Sequence, residues 1–258
     1  MRTGLNARII AITNQKGGVA KTTTAINLSA CLAELGKRIL LVDLDPQGNA
    51  TSGVGIEKQK LSQCVYDALI NDVPIRQVIH LTEQDNLSAV PARIELAGAE
   101  IELVGQENRE YRLKETLQSI VEDYDFIFID CPPSLGVLTI NALTAATDVL
   151  IPVQCEYYAL EGLSLLMNTL ERVRSNLNPD LNILGALMTM FDARTNLAIQ
   201  VVDEVKKFFP QKVFRSIVSR NVRLSEAPSY GKAINRYDPR SKGAETYQEL
   251  AKEVLERV

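Results

Sequence analysis

The chain has 258 residues but only one histidine, His80, and no tryptophan. A single histidine excludes a metal site built from several histidines and leaves Ser-His-Asp catalysis without support. The cysteines form no C-x-x-C pair, so a zinc ribbon, a redox motif and a disulfide framework are all poorly supported. We expect them to be reduced thiols in the core of a cytoplasmic protein: Cys31, Cys64, Cys131 and Cys155.

Long apolar runs and low-complexity linkers are also missing. No stretch approaches the roughly 18 consecutive apolar residues that a membrane span needs, and the apolar run near the N-terminus is too short for a signal peptide. No Pro-, Gly- or Ser-rich linker and no internal repeat divides the chain. We therefore predict one domain over residues 1–258, located in the cytoplasm. The net charge of −4, taken alone, argues mildly against a nucleic-acid partner.

Short β-branched runs alternate with helical patterns along the chain. The runs are nearly continuous in apolar residues, as strands covered on both faces must be. They lie at 8–13, 38–43, 126–130, 149–153 and 183–190. Helical patterns lie at 22–35, where Gly36 follows as a stop signal, and at 111–121. This alternation predicts an α/β fold with a doubly wound, mainly parallel sheet and helices on both faces.

The segment 247–258 has an apolar stripe opposite a face that carries more acidic than basic residues. An amphipathic helix that binds a membrane surface is expected to be rich in lysine and arginine on its polar face. Docking of the stripe onto the sheet is therefore favoured over membrane binding. The stripe consists of Tyr247, Leu250, Ala251, Val254, Leu255 and Val258.

The sharpest feature is the run 14–24, N-Q-K-G-G-V-A-K-T-T-T, between the first predicted strand and a long helix. Its glycines let backbone N–H groups converge on phosphate oxygens, and the helix N-terminus adds partial positive charge. Lys21 is expected to reach the β- and γ-phosphates of a nucleotide, and the Thr22 hydroxyl to ligate Mg²⁺. The predicted nucleotide contacts are Lys16, Gly17, Gly18, Val19, Ala20, Lys21, Thr22 and Thr23. The alternative, a strand–helix turn with a chance Lys-Thr pair, is disfavoured by this position.

Carboxylates close two of the predicted strands. Asp43 ends the second predicted strand and Asp45 lies two residues beyond it, while Asp130 closes the run F-I-F-I-D. Ligands of a doubly wound sheet bind beyond the carboxyl ends of its strands, so these groups are expected to face the phosphates. Asp130 is the expected Walker B-type carboxylate, which holds Mg²⁺ directly or through water. For each aspartate alone the alternative is a turn former or a helix cap.

The loop does not match G-x-x-x-x-G-K-[ST] literally, because Gln15 and Ala20 occupy the two glycine positions. It resembles the deviant form K-G-G-x-G-K-[ST], which marks a family of ATPases that includes the ParA/Soj partition proteins, MinD, the nitrogenase iron protein and the arsenite-pump ATPases. In that family the added lysine, here Lys16, reaches across a nucleotide-sandwich dimer to the partner's phosphates. If position 20 needs a positive φ, an alanine there costs roughly 1–2 kcal/mol. We hypothesise that Ala20 weakens ATP binding, dimerisation or turnover.

The resemblance spans nearly the whole chain and points to the chromosomal ParA proteins, called Soj in Gram-positive bacteria. It is carried by the segments LLVDLDPQGNATSG, IDCPPSLGVLTINAL, PVQCEYYALEGLS, MTMFDARTN, RNVRLSEAPSYGK and YDPRSKGAETYQELAKEV. The nitrogenase iron protein needs two cysteines in fixed contexts, which Cys131 and Cys155 do not reproduce. MinD needs a basic amphipathic C-terminal helix, which this sequence lacks.

The resemblance implies a slow ATPase that uses ATP and Mg²⁺, forms a homodimer on ATP binding and is stimulated by a ParB-type centromere-binding partner. It implies catalytic roles for Lys16, Lys21 and Asp45, with Asp45 positioning the attacking water. Thr22, Asp45 and Asp130 are the groups implied around Mg²⁺. Partition ATPases bind nonspecific DNA as ATP dimers, so the resemblance implies association with the nucleoid and no membrane partner.

The adenine base is expected between the end of the run 184–190 and the loop near Asn221. In relatives a Pro-Arg-Asn triplet borders the base, whereas here the triplet reads Ser219-Arg220-Asn221. The resemblance therefore carries the asparagine over to Asn221 and leaves the proline contact without a counterpart. Asp192 has two open interpretations, a part of the base pocket or a surface turn.

Charge is unevenly distributed along the sequence. Residues 205–243 hold ten basic and two acidic residues, a net charge of +8, whereas residues 71–130 hold five basic and thirteen acidic residues, a net charge of −8. A basic surface binds DNA phosphates without reading sequence. By resemblance the best DNA-contacting candidates are Arg223 in RNVRLSEAP and Arg194 in FDARTN, and the supporting candidates are Lys206, Lys207, Arg215 and Arg220. The alternative is that these basic side chains are spread over several solvated faces.

Two other functions compete with chromosome or plasmid partition. One is a positioning ATPase of the MinD sort that is recruited to membranes. The other is a metabolic P-loop enzyme that transfers phosphate to a small acceptor. Both share the phosphate loop, so the loop alone does not separate them.

Overall fold

A single sheet of eight strands forms the centre of the computed structural model, which describes residues 6–156 and 159–258. Its strand order is β3-β4-β2-β5-β1-β6-β7-β8, and among these strands only the pair β3–β4 is antiparallel. The strands are β1 (Arg8–Ile12), β2 (Ile39–Asp43), β3 (His80–Leu81), β4 (Leu87–Val90), β5 (Phe126–Asp130), β6 (Asp148–Gln154), β7 (Asn182–Phe191) and β8 (Val213–Ser219). Residues 1–5, part of the run weighed as a signal peptide, and residues 157–158 of PVQCEYYALEGLS lie outside the described residues.

Helices cover both faces of this sheet. They are α1 (Lys21–Glu34), α2 (Asn49–Gly53), α3 (Val65–Ile70), α4 (Ile75–Val78), α5 (Leu96–Glu102), α6 (Arg112–Gln118), α7 (Val137–Ala145), α8 (Ala159–Asn176), α9 (Asn196–Phe208), α10 (Val222–Glu226), α11 (Ile234–Tyr237) and α12 (Lys242–Arg257). Side chains alternate between two apolar layers, as in β1, where Ile10 and Ile12 face the layer that contains α1 and α12 and Ala11 faces the other. The predicted doubly wound α/β fold is confirmed.

The predicted helix ends agree with the structure where a local stop signal is present. Gly36 has a φ of 81°, and its N–H donates to the Ala33 carbonyl while Lys37 N–H donates to the Leu32 carbonyl. This pattern closes α1 as the glycine predicts. The predicted helix 111–121 is too long, because α6 ends at Gln118 and the buried residues Ile120 and Val121 continue its apolar spacing in a turn.

The C-terminal helix α12 docks onto α1 and β8, as its apolar stripe predicts. Tyr247, Leu250 and Val254 are fully buried there. The helix begins five residues before the predicted start, because Ser241 caps it by accepting a hydrogen bond from Ala244 N–H at 3.2 Å. Within the described part of the chain, no helix is both long and apolar enough to cross a membrane.

Candidate active site

The loop after β1 leaves the sheet where its strand order divides. The next strand in sequence, β2, lies beyond β5 on one side of β1, and β6 lies on the other side, so a crevice opens above the carboxyl end of β1. The buried Asn14 side chain anchors the loop: its amide nitrogen donates to the Pro152 carbonyl at 2.7 Å, and its amide oxygen accepts from Lys16 N–H at 3.0 Å. Gly18 and Ala20 have φ values of 74° and 66°. The strain expected at Ala20 is therefore present, while its effect on function stays a prediction.

The N-terminus of α1 is open toward this loop. Ala20 occupies the N-cap position, where no side chain accepts a hydrogen bond from the first turn. Lys21 is buried, and its Nζ donates to the Lys16 carbonyl at 3.2 Å. Burial lowers the pKa of Lys21, and the neighbouring carboxylate of Asp130 opposes that shift. An uncapped helix N-terminus and a partly desolvated ammonium group together form an anion site that suits phosphate.

Asp130 is fully buried, and neither of its carboxylate oxygens accepts a hydrogen bond. Burial and the adjacent Asp43 raise its pKa well above the usual range, against smaller lowering effects of the Thr22 hydroxyl and Lys21. β2 and β5 pair in register at Asp43 and Asp130, which brings the two carboxylates side by side. A buried, unpaired carboxylate is costly unless a cation or a cation-bound water satisfies it.

These residues fit a magnesium ion bound together with a nucleotide. Among the described residues, no three His, Cys, Asp or Glu side chains form a complete metal site. Mg²⁺ is commonly held by one or two protein groups, water and substrate phosphates, so a complete protein cage is not required. Thr22 at the start of α1 and Asp130 at the end of β5 are the protein groups that would hold it here.

Asp45 lies two residues beyond β2, half-buried at the same edge of the sheet. Its backbone N–H donates to Asp43 at 3.1 Å, and its carboxylate accepts from Gln47 N–H at 2.9 Å. Asp43 itself is fully buried, and burial raises its pKa to about 6. The three predicted carboxylates therefore converge at one edge, with Asp45 the most accessible of them.

Lys16 takes a different position from Lys21. Its side chain is 33% exposed, and its Nζ forms an ion pair of 3.1 Å with Glu156, which follows β6. Gln154 holds the other oxygen of Glu156 at 2.5 Å. Lys21 is thus enclosed by its own loop, whereas Lys16 extends from the loop to a neighbouring segment.

The region predicted for the base lies where β7 and β8 end together. Phe191 and Ser219 pair across these strands. Asn221 caps α10 by accepting a hydrogen bond from Arg223 N–H at 2.9 Å. The Asp192 carboxylate accepts hydrogen bonds from Arg194 N–H, Nε and Nη2, and its backbone carbonyl accepts from the Thr195 N–H at 3.1 Å and hydroxyl at 3.0 Å, which is the arrangement the surface-turn interpretation expects.

Three of the predicted DNA-contacting residues meet at the same strand ends. Arg194 follows β7, and Arg220 and Arg223 follow β8. Arg194 is 89% exposed and pairs with Asp192, and Arg223 pairs with Glu226 at 2.9 Å. The carboxyl ends of β7 and β8 therefore carry an arginine cluster, defined here as Arg194, Arg220 and Arg223.

The other three candidates lie elsewhere. Lys206 and Lys207 are near the end of α9, which leads back to the start of β8 at the opposite edge of the sheet. Lys207 pairs with Glu204 at 2.6 Å. Arg215 lies within β8, where Glu253 and Glu256 neutralise it. The structure thus brings together half of the predicted DNA contacts.

Several residues around the site were not foreseen from the sequence. Asn14 anchors the loop, Glu156 holds Lys16, and Thr189 donates to the Val19 carbonyl at 3.1 Å. Asn14 directly precedes the motif and could have been inferred from its place at the strand end. Glu156 and Thr189 reach the loop only through the tertiary fold, so no local pattern signals them.

A protein-family model described as an AAA domain matches residues 7–183. The chain is 65% identical over 247 residues to the sporulation initiation inhibitor protein Soj of Bacillus subtilis (strain 168), an alignment that covers 96% of this chain and 98% of Soj. This chain belongs to the ParA/Soj family of chromosome-partitioning ATPases. It is also 58% identical over 250 residues to the chromosome partitioning protein ParA of Myxococcus xanthus, with 97% of this chain and 88% of ParA covered.

Solved structures agree with this family assignment in fold. The cobyrinic acid a,c-diamide synthase of Mycobacterium smegmatis with bound ATP analog and magnesium is 42% identical with a TM-score of 0.87, over 96% of this chain and 94% of that one. The septum site-determining protein MinD of Pyrococcus horikoshii, complexed with Mg-ADP, is 26% identical with a TM-score of 0.78, over 96% of each chain. The P-loop ATPase fold is therefore shared with both.

Proposed function

We propose that this chain binds ATP and Mg²⁺ and hydrolyses ATP slowly to ADP and phosphate. Three groups support this proposal. The uncapped N-terminus of α1 and the buried Lys21 offer hydrogen-bond donors to phosphate oxygens, and the carboxylate of Asp130, which accepts no hydrogen bond, is free to hold Mg²⁺. Two similar proteins have been crystallised with magnesium and an adenine nucleotide or its analog, which adds support. Asn221 is the proposed neighbour of the adenine base.

Hydrolysis here needs positioning more than reactive side chains. Bound magnesium supplies charge neutralisation on the phosphates. Lys21 and the first turn of α1 stabilise negative charge on the β- and γ-phosphates, and Asp45 orients the attacking water. No side-chain nucleophile takes part, which fits a chain with a single histidine.

ATP is proposed to join two copies of the chain. The different positions of the two loop lysines carry this part of the proposal. Lys21 serves its own phosphate loop, whereas the Lys16 side chain is 33% exposed and, among the described residues, is held by an ion pair with Glu156 alone. A partly exposed ion pair is weak, so Lys16 can exchange Glu156 for the phosphates of a second copy.

The ATP dimer is proposed to bind nonspecific DNA and thereby to associate with the nucleoid in the cytoplasm. The arginine cluster supports this, because its guanidinium groups are exposed and each surface carboxylate partner can be replaced by a DNA phosphate. A ParB-type partner is proposed to stimulate hydrolysis and release the dimer. Similarity to Soj and ParA over nearly the whole chain supports that partner class.

Light scattering with ATP or ADP tests the dimer directly. We expect the wild-type chain to dimerise with ATP only, Lys21→Ala to lose ATP binding, and Lys16→Ala to bind ATP but remain monomeric. Lys114→Ala, an exposed lysine on α6, is the matched control and should behave as wild type. Dimerisation of Lys16→Ala at the ATP concentrations that dimerise the wild type would contradict the proposed role of Lys16. Intact ATP binding by Lys21→Ala would contradict the proposed role of the phosphate loop.

The two competing functions have distinct readouts. Sedimentation with lipid vesicles but not with DNA would favour a membrane-bound positioning ATPase, although Tyr247, Leu250, Ala251 and Val254 of the apolar stripe are already buried and, of the stripe, Val258 alone is exposed. Dependence of ADP release on a small soluble phosphate acceptor would favour a metabolic enzyme. We expect neither.

A further inference from the structure

Thr51 lies at the centre of a buried hydrogen-bond network behind Asp45. The residue is 1% exposed. Its backbone N–H and its hydroxyl donate to one carboxylate oxygen of Asp43, at 2.8 and 2.7 Å. The same hydroxyl accepts a hydrogen bond from Ala92 N–H at 2.9 Å. One side chain therefore joins the end of β2, the short helix α2 and the segment that follows β4.

The other carboxylate oxygen of Asp43 reaches the loop that carries Asp45. It accepts the Asp45 N–H at 3.1 Å, while the intervening Leu44 N–H donates to the Asp130 carbonyl at 3.0 Å. The backbone N–H groups of Leu44 and Asp45 are thus both hydrogen-bonded to residues at the buried ends of β5 and β2. Asp43 links Thr51 on one side to Asp45 on the other.

Gly48, between Asp45 and Thr51, packs closely against the residues that follow β4. Gly48 has a φ of 61°, and a Cβ at this position would lie 2.8 Å from the Ala92 carbonyl oxygen. Ala92 is the residue whose N–H the Thr51 hydroxyl accepts. The loop is therefore packed against the end of β4 and held there by the same network.

We propose that Thr51 and Asp43 are positioning residues that set the rate of ATP hydrolysis by holding Asp45 in place. The inference rests on the proposed role of Asp45 in orienting water. Both residues are 1% exposed, so each acts through the backbone of the Asp45 loop. Small displacements of a group that aligns the attacking water cost rate without a matching loss of binding.

The experiment compares Thr51→Val, which keeps the side-chain shape but lacks the hydroxyl, with Thr51→Ser, which retains the hydroxyl. Thr51→Val should lower kcat roughly 10- to 100-fold and leave ATP affinity unchanged. Amide hydrogen exchange in the nucleotide-free protein should become faster at residues 44–52, and Thr51→Ser should restore both kcat and protection. Should Thr51→Val not fold, Thr51→Ala carries the same expectation.

Thr144→Val is the matched control. Thr144 is equally buried, and its hydroxyl donates to the Ile140 carbonyl at 2.8 Å within α7. It should lose comparable thermal stability with no change in kcat. Wild-type kcat in Thr51→Val, or an equal loss in Thr144→Val, would overturn the inference. Asp45→Ala distinguishes failure of this inference from failure of the proposed function: wild-type hydrolysis by that variant would contradict the proposed role of Asp45 itself.

Discussion

Asp130 and Glu253 are both almost fully buried carboxylates, 0% and 4% exposed, in opposite surroundings. Asp130 accepts no hydrogen bond, and burial together with Asp43 raises its pKa well above the usual range. Glu253 on α12 accepts hydrogen bonds from Arg215 N–H at 2.8 Å, Ser216 N–H at 3.1 Å and Arg257 at 2.7 Å. Burial alone would raise the pKa of Glu253, but these donors outweigh it and lower the pKa.

The difference distinguishes a carboxylate that is satisfied within the fold from one that we propose acts with bound Mg²⁺. Glu253 satisfies backbone donors of β8 and ties α12 to the sheet, so its charge stabilises the fold. The Asp130 carboxylate accepts no hydrogen bond, and Lys21 and the Thr22 hydroxyl offset its desolvation cost only in part. Such a cost is typical of a site whose partner is a ligand. The two residues should therefore respond oppositely to removal of their charge.

Glu253→Gln should produce the largest loss of stability. The amide nitrogen would face backbone N–H donors that now meet a carboxylate, and Arg257 would lose its ion pair while keeping its hydrogen bonds to the Leu184 and Val213 carbonyls. We expect the free energy of unfolding to fall by about 3 kcal/mol, measured by urea denaturation. Glu256→Gln on the exposed face of α12 is the control and should change little. A loss no larger than that of the control would contradict the claim that the buried charge of Glu253 stabilises the fold.

Asp130→Asn should stabilise the nucleotide-free protein by about 2 kcal/mol, because it removes a buried charge that accepts no hydrogen bond and that Lys21 and Thr22 offset only in part. The same variant should lose the extra stability that Mg-ATP gives to the wild type. Urea denaturation with and without Mg-ATP measures both effects. Destabilisation of the nucleotide-free variant would show that Asp130 has a structural role.

The pH dependence should differ in sign between the two carboxylates. A raised pKa means that the folded state holds the proton more tightly, so stability falls as the pH rises above the ordinary aspartate value of 3.8. Asp43, with a pKa of about 6, extends this fall to about pH 6. A lowered pKa means the reverse, so the contribution of Glu253 is lost as the pH falls below 4.5. The advantage of Asp130→Asn over wild type should grow as the pH rises above about 4, and a constant difference would contradict this origin.

Ala20→Gly should give a smaller gain at the same edge of the sheet. Relief of a left-handed alanine is partly offset by the greater freedom of glycine in the unfolded chain, leaving about 0.5–1 kcal/mol of stabilisation. We also expect tighter ATP binding, measured by calorimetry. Gly18→Ala is the mirror variant: a Cβ there meets nothing within 4 Å, so its loss of stability would report backbone strain alone. Unchanged stability and nucleotide affinity in Ala20→Gly would dismiss the hypothesis about Ala20.

Asp192→Asn should have the smallest effect, since this carboxylate is partly exposed and its ion pair is with Arg194, which is 89% exposed. Releasing Arg194 should strengthen ATP-dependent DNA binding a few-fold at low salt. Asp203→Asn, an exposed carboxylate on α9, is the control for net charge. The gain should vanish in an Arg194→Ala background, and its persistence there would assign the effect to net charge.

The strands that the sequence predicts correctly are those buried on both faces. β5 agrees to the residue, and β1, β2, β6 and β7 agree within one residue at each end. β8 was missed because its side chains alternate between buried and exposed at the edge of the sheet, which breaks the continuous apolar run. The two-residue β3 and four-residue β4 are too short to show a period.

The candidate site likewise contains residues that local sequence predicts and residues that only the folded structure brings in. The phosphate loop and Asp130 are predictable because glycines, lysine and a strand-end aspartate are local signals. Thr51 is not, since N-A-T-S-G reads as an ordinary turn and its partners are Asp43 and Ala92. The pairing of Lys16 with Glu156 joins residues 140 positions apart, so only the folded sheet reveals it.

Binding of nonspecific duplex DNA, titrated against salt with ATP and with ADP, tests the central claim of nucleotide-gated DNA binding most directly. We predict affinity with ATP that falls steeply as salt rises, little affinity with ADP, and weaker binding with a shallower salt dependence in Arg223→Ala. Arg76→Ala, an exposed arginine in the acidic stretch, should bind as wild type does. Equal affinity with ATP and ADP, or wild-type affinity in Arg223→Ala, would contradict the account.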